Sequence, residues 1–320
     1  MNLKFRKALS LFCAAALTLG AGVASAKTLN MGTLPQGSVA YSIAAAIASA
    51  AGDRGASTRV VPQGGPVVVL PMVNRGVYDF TVTPSIPLAY AHAGEAMFKG
   101  KPQQDLRAVA VLLPLRVGIL VRADSDIQSL EDLRGKRVAG GFPRQRALLK
   151  MQEAVLATAG MSMDDVQEVP VPAGVRGLDE LASGKVDAAI FSVGSGAVAQ
   201  ADAAVRGGLR FLPIPGGEKA ERAMQRVAPS SYFLTVQPAD GIAALDEPTN
   251  LLASSLVLTA NARVSDKDVR MMLETLLEKT DDIAQTHGAF RLFKKEDMGR
   301  DVVIPYHPAA EAFLKEQGLR

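Results

Sequence analysis

Residues 29–84 read LNMGTLPQGSVAYSIAAAIASAAGDRGASTRVVPQGGPVVVLPMVNRGVYDFTVTP, and residues 137–192 read RVAGGFPRQRALLKMQEAVLATAGMSMDDVQEVPVPAGVRGLDELASGKVDAAIFS. The second stretch resembles the first at an offset of 108 residues without a gap (29 + 108 = 137). Gly32 falls on Gly140, Pro35 on Pro143, Pro62 on Pro170, Gly76 on Gly184 and Asp79 on Asp187. Ala51-Gly52 falls on Ala159-Gly160, and Leu70 on Leu178. Glycine and proline carry most of these matches, and both residues punctuate backbone structure. One supersecondary plan is therefore used twice. Two similar lobes imply a cleft between them.

Each copy alternates short apolar runs with helical stretches. In the first, Leu29–Thr33, Thr58–Val61 and Asp79–Thr83 read as strands, with helices at Val39–Ala51 and Val67–Arg75. In the second, Arg137–Gly140, Gln167–Val169 and Asp187–Ser192 are strands, with helices at Ala147–Ala159 and Val175–Ser183. The glycines that follow, Gly52, Gly76, Gly160 and Gly184, fit left-handed C-caps. Strand, helix, strand, helix, strand spells a mainly parallel sheet with right-handed crossovers. The expected fold class is α/β, each lobe a sheet flanked by helices.

Between the copies lie two apolar runs, Ala108–Leu113 and Val117–Val121, the second read as the first crossing between lobes. Leu251–Thr259 reads as the return crossing, and Asp266–Thr280 as an amphipathic helix with Val269, Met272, Leu273, Leu276 and Leu277 at helical spacing. Lobe 1 is then residues 27–115 with 255–320, and lobe 2 is residues 116–254.

Met1–Ala26 reads as a cleavable secretory signal: Lys4, Arg6 and Lys7, an apolar run Ala8–Val23, and Ala24-Ser25-Ala26 as the cleavage site. The chain is therefore expected to be exported. Removing the signal takes three of the 35 Lys+Arg and none of the 32 Asp+Glu, leaving 32 against 32. The basic balance thus belongs to the signal and argues for no nucleic-acid partner. The single cysteine, Cys13, also lies there, so a mature chain has no thiol chemistry.

Ligands of open α/β sheets bind beyond the carboxyl ends of the strands. Here those ends carry Thr33, Gln36, Gly37 and Ser38, then Gln63, Gly64 and Gly65, then Ser85. The second copy presents Arg144, Gln145 and Arg146, then Ser192 and Val193. Each loop precedes a helix start, whose amides and dipole favour an anion. Arg144 or Arg146 can clamp a carboxylate, and either serves equally well as a solvated first-turn residue. Ser38 and Ser85 serve equally well as helix caps. Arg116, beside the expected crossing, reads as structural.

Catalytic patterns are poor. His92, His287 and His307 show no metal-ligand spacing, and no nucleophile elbow or phosphate loop occurs. Asp79 and Asp187 follow helix-closing glycines and read as turn residues rather than paired catalytic carboxylates. No cofactor and no metal are expected. A secreted enzyme using Asp/Glu chemistry is the remaining alternative from another class.

At these loops the chain resembles the solute-binding subunits of tripartite ATP-independent periplasmic (TRAP) transporters, in their TAXI branch. The resemblance rests on Thr33-Leu34-Pro35-Gln36-Gly37-Ser38 through Tyr41, Pro62-Gln63-Gly64-Gly65-Pro66, and Val73-Asn74-Arg75-Gly76 with Asp79-Phe80. It continues through residues 130–138, Gly184-Lys185-Val186-Asp187-Ala188-Ala189, and Pro305-Tyr306-His307-Pro308. It implies a type II periplasmic binding protein closing on one small organic anion, such as glutamate. It adds Tyr41 to the ligand set and implies membrane permease subunits as partners, driven by an ion gradient. A type II receptor for an ATP-driven importer or a sensor kinase shares the same fold and cleft. His307 reads as a C-terminal packing or capping residue.

Overall fold

Two long strands that belong to both halves of the molecule organise the chain. The computed structural model describes residues 28–239 and 241–320; the signal reading of residues 1–26 lies outside them. The first copy forms β1 (Leu29–Thr33), α1 (Val39–Gly52), β2 (Thr58–Pro62), α2 (Pro66–Asn74) and β3 (Phe80–Pro84), followed by α3 (Ser85–Ala93). β4 (Leu106–Arg122) leads to the second copy: β5 (Arg137–Gly141), α4 (Arg146–Thr158), β6 (Gln167–Val171), α5 (Gly174–Ala182) and β7 (Ala188–Ser192). Then come α6 (Gly196–Ala204), β8 (Leu209–Phe211), α7 (Glu218–Val227) and β9 (Tyr232–Val236). β10 (Thr249–Asn261), α8 (Asp266–Glu278), α9 (Thr280–Thr286) and α10 (Pro308–Glu316) complete it.

The strand order is β2-β1-β3-β10-β4-β7-β5-β6. β1 pairs parallel with β2 and β3, and β5 pairs parallel with β6 and β7. Each trio meets a crossing strand antiparallel: β3 meets β10, and β7 meets β4. The copies are thus arranged alike about the central β10–β4 pair. The two runs expected around residue 114 are one strand. Pro114 sits inside it opposite Ser255, next to a register break between Leu256 and Val257, where the ladder tolerates a residue without an N–H.

The matched residues hold matched jobs. A Cβ on Gly32 would overlap the Tyr78 ring, and one on Gly140 would stand 2.5 Å from Glu168 Oε1. The Asp79 amide donates to the Asn30 carbonyl at 2.8 Å, and Asp79 Oδ2 accepts the Asn30 amide at 2.8 Å. Asp187 does the same with Arg137, at 2.7 and 2.8 Å. Both carboxylates therefore fasten strand starts, at the sheet end opposite the carboxyl-end loops. Gly76, Gly160 and Gly184 take left-handed φ of 76°, 66° and 74°. Gly52 instead ends α1, with Asp53 following in right-handed geometry. The turn there is completed at Gly55, φ 83°.

One hydrophobic core runs through both halves. α1 buries Ile43 and Ile47 over β1's Met31, and α8 buries Val269, Met272, Leu273 and Leu276. The C-terminal segment docks on β4: the Ala108 amide donates to Pro305 at 2.9 Å, and the His307 amide donates to Ala108 at 2.8 Å. His307 caps α10, its Nδ1 accepting from the Ala309 amide at 3.3 Å while Nε2 lies 3.1 Å from the Val264 carbonyl. Tyr306 Oη sits 2.7 Å from the Arg300 carbonyl, and burial pushes its pKa up to about 12. The Pro-Tyr-His-Pro segment is therefore a clasp within the fold.

Candidate functional site

The loops at the carboxyl ends of the two strand trios face each other and touch. The Ala197 amide at the start of α6 donates to the Gly37 carbonyl at 3.4 Å. Gly65 abuts Arg144 so closely that a Cβ there would overlap the Arg144 carbonyl oxygen. Further along, Tyr90 Oη on α3 donates to the Val227 carbonyl on α7 at 2.8 Å.

Between these contacts lies a small cavity of about 70 Å³. Its first-half wall comes from Leu34, Ser38, Val39, Ala40, Pro66 and Pro84, and its second-half wall from Gln145, Ala147, Leu148, Met151, Phe191 and Ser192. Leu115 and Val117 of β4 close it at the crossing. The first turns of α1 and α4 thus line one space from opposite sides, each with its dipole's positive end inward. The lining is mostly apolar, not the glycine-borne amide surface that the sequence suggests.

A rim groove of about 360 Å³ continues outward, lined by Pro35, Gln36, Pro62, Gln63, Gly64, Arg144 and Ala173. Arg144 is exposed there and Arg146 is exposed beyond it, so neither guanidinium reaches the inner cavity wall.

The expected site residues divide by what their groups already do. Ser38, Gln145 and Ser192 line the inner cavity. Ser38 also caps α1, its Oγ accepting from the Tyr41 amide at 3.2 Å. Gln145 is buried, and its Oε1 accepts from the Gly174 amide at 2.6 Å, holding the start of α5. Gln36, Gln63, Gly64 and Arg144 line the rim. Gln63 Nε2 donates to Tyr78 Oη at 2.7 Å, and Gln36 Nε2 reaches Tyr41 Oη at 3.5 Å. Thr33 is fully buried and donates to the Ala40 carbonyl at 3.3 Å. Val193 is buried in the core, and its amide donates to the Arg116 carbonyl at 2.9 Å. Gly37 and Gly65 serve the contact between the halves.

Ser85 is buried at the head of α3, and its hydroxyl has no hydrogen-bond partner among the described residues. Ser254 of β10 is in the same state and was not anticipated. It pairs directly with Leu115, so the two side chains share the cavity's face of the sheet. The only sequence signal for it is a hydroxyl pair, Ser254-Ser255, inside an otherwise apolar strand. An unmade hydrogen bond on a buried hydroxyl is costly. Thr81 and Thr83 of β3 and Thr259 of β10 are in the same state, and neither Ser85 nor Ser254 is among the residues that line the inner cavity.

Among the described residues no cluster of three or more His, Cys, Asp or Glu could hold a metal, and no helix is long and apolar enough to cross a membrane.

A mixed α/β sheet, helices on both flanks and paired crossing strands over a cleft define the fold of periplasmic solute-binding proteins. Solved structures share it. One described as a periplasmic transporter superposes with a TM-score of 0.60 at 14% identity, over 92% of this chain and 94% of that one. The alkanesulfonate-binding protein SsuA from Xanthomonas axonopodis pv. citri, bound to MOPS, gives 0.51 at 18% identity, over 91% and 93%. The amino acid ABC transporter substrate-binding protein AbpA from Streptococcus pneumoniae, bound to L-arginine, gives 0.50 at 12% identity, over 83% and 95%. The model of the NMT1-like family matches residues 31–318. The chain belongs to the NMT1-like family.

Proposed function

We propose that this protein is a periplasmic receptor that captures a small organic anion with an apolar body and delivers it to a membrane transporter. The observation that carries the reading is the shared cavity: the starts of α1 and α4, from opposite halves, line one space walled by Leu34, Leu115, Leu148, Met151 and Phe191. Apolar walls favour a hydrocarbon or ring portion. The two helix dipoles and the hydroxyl of Ser192, which lines the cavity, favour a carboxylate or sulfonate head; the Ser38 hydroxyl already donates to the Pro35 carbonyl at 2.7 Å. An alkanesulfonate, the class named for one structural neighbour, has that shape, and so does a medium-chain carboxylate. Gln36, Gln63, Gly64 and Arg144 meet the solute as the cleft closes. Lobe 1 comprises residues 27–115 and 255–320 and lobe 2 residues 116–254, with β4 and β10 as hinges. Closure follows from contacts that a solute makes only when both lobes reach it.

The test is native mass spectrometry of protein purified without dialysis, followed by thermal-shift titration with amino acids, carboxylates and sulfonates. The reading expects a retained small anion, and a saturable rise in Tm with a smaller radius of gyration. Folded protein that shows neither with any of these compounds refutes it.

The resemblance to TAXI subunits points to TRAP-type permease subunits as partner. A second reading, an ATP-driven importer, is favoured by the neighbour that serves an amino acid ABC transporter. Cross-linking in cells and identification of the captured membrane protein separates the two.

A further inference from the structure

Arg116 lies on β4 between Leu115 and Val117, the two residues that close the inner cavity. Side chains alternate along a strand, so Arg116 points to the opposite face. There it is buried, with only 7% of its surface exposed. Among the described residues its guanidinium has no hydrogen-bond or ion-pair partner. A buried arginine without a counter-charge is a strongly unfavourable arrangement in a folded protein.

The guanidinium does not end in packed core. It lines a cavity of about 410 Å³, far larger than the inner cavity of about 70 Å³. The second half contributes Gly194, Ala239, Gly241 and Ile242, and the 287–292 segment contributes His287 and Arg291. Gly194 leaves the guanidinium uncovered: a Cβ built there would stand 3.7 Å from Arg116 Nη2. Arg291 is exposed and adds a second positive charge at the mouth. No Asp or Glu is among the described lining residues. Burial lowers the His287 pKa, and its Nδ1 accepts from the Ala289 amide at 3.3 Å. Its neutral ring thus leaves the positive charge to the two arginines.

We propose that this cavity is a second binding site, for a small oxyanion held by the planar fork of Arg116, on the face of the hinge opposite the solute cleft. A carboxylate, sulfate or phosphate matches two parallel N–H donors of a guanidinium. Elements from both halves line the cavity, so an anion there bridges them at the hinge. The inference stands on the Arg116 geometry and does not require the solute assignment of the cleft.

The test compares wild type with Arg116→Met, which keeps the stem's packing and removes the charge. Both are titrated with sodium sulfate, sodium phosphate and sodium acetate at constant ionic strength, following Tm. Wild type is expected to gain about 2–4 °C in a saturable manner with at least one of them, and the variant is expected to lose the saturable part. In anion-poor buffer the variant should be at least as stable as wild type, because an unpaired buried charge has been removed. A saturable gain that persists in the variant, or its absence in wild type, overturns the proposal. If the variant does not fold, the Arg116 Nε–H resonance of the wild-type protein is followed through the same titrations. An unmoved resonance overturns the proposal equally. Asp240 lies in sequence between Ala239 and Gly241, outside the described residues. Asp240→Asn therefore accompanies the series. A wild type blind to all three salts beside an Asp240→Asn protein that responds would mean that the chain supplies its own counter-ion, which also overturns the proposal.

Discussion

Gly65 and the Arg144 carbonyl oxygen approach so closely across the cleft that no side chain fits between them. Gly65 takes φ of 153° with ψ of −179°, a conformation open essentially to glycine alone. The glycine is thus required twice, by its own backbone and by the opposing loop.

Gly65→Ala should therefore hold the lobes apart. The strain and overlap together amount to about 1–3 kcal/mol, so solute affinity is expected to fall by about 10-fold or more, while circular dichroism stays native. Small-angle scattering checks it: the variant with solute should keep the larger radius of gyration of the open form. Unchanged affinity and full compaction would show that closure does not run through this contact.

Tyr90 and Val227 form a second tie, a phenol on α3 bonded to a carbonyl at the end of α7. Tyr90→Phe keeps the ring and removes the bond, worth about 0.5–1.5 kcal/mol. Since the tie joins the halves, the variant should release solute several-fold faster with little change in association rate. Stopped-flow displacement separates the two rates. A change confined to association would argue that the tie forms before the solute enters.

The features legible in the sequence were those that obey local rules. Gly32 and Gly140 mark the repeat at the same strand position. A Cβ on Gly32 would overlap the buried Tyr78 ring, whereas over Gly140 lies the exposed, flexible side chain of Glu168, so the steric constraint is firm in the first copy and softer in the second. Gly52 misled because propensity places a C-cap at the first glycine after an alanine run, whereas α1 packs through to Gly52 and turns at Gly55. The strand around Pro114 was split because proline normally interrupts a ladder. Its tolerance comes from a register break with a partner about 140 residues away, which no local window contains. The candidate site was legible as a set of loops but not as a surface. Whether Thr33 or Val193 faces the guest or the core depends on Ala40 and Arg116, the groups that take their hydrogen bonds. The isolation of Arg116 was invisible for the same reason: a missing partner is a property of three-dimensional neighbours.

Gln145 links the cavity to the start of α5. Its Oε1 accepts from the Gly174 amide, which is buried at that helix start and has no other acceptor among the described residues. Gln145→Ala leaves that amide unsatisfied, at about 1–3 kcal/mol, and should lower Tm by several degrees. Gln145→Glu keeps an acceptor in place and should recover part of the loss if the carboxyl is tolerated. Equal Tm for wild type and Gln145→Ala would mean that the pair contributes nothing to stability.

Asp187 gives a pH dependence with a definite sign. Hydrogen bonds from the Arg137 side chain, followed by that residue's amide and charge, hold its carboxyl below the ordinary value of 3.8. A carboxyl lowered in the folded state contributes stability that is fully present above the unfolded value and is lost as pH falls through the folded one. The window therefore lies below about pH 4. The two side chains are 45% and 27% exposed, so screening keeps the contribution small, and Asp187→Asn should lower Tm at pH 6 by no more than about 3 °C. The Tm curves of variant and wild type should then converge between about pH 4 and pH 2. A difference that persists unchanged at pH 2 would show that the bond from the Arg137 amide to the residue 187 side chain, rather than its charge, carries the stabilisation.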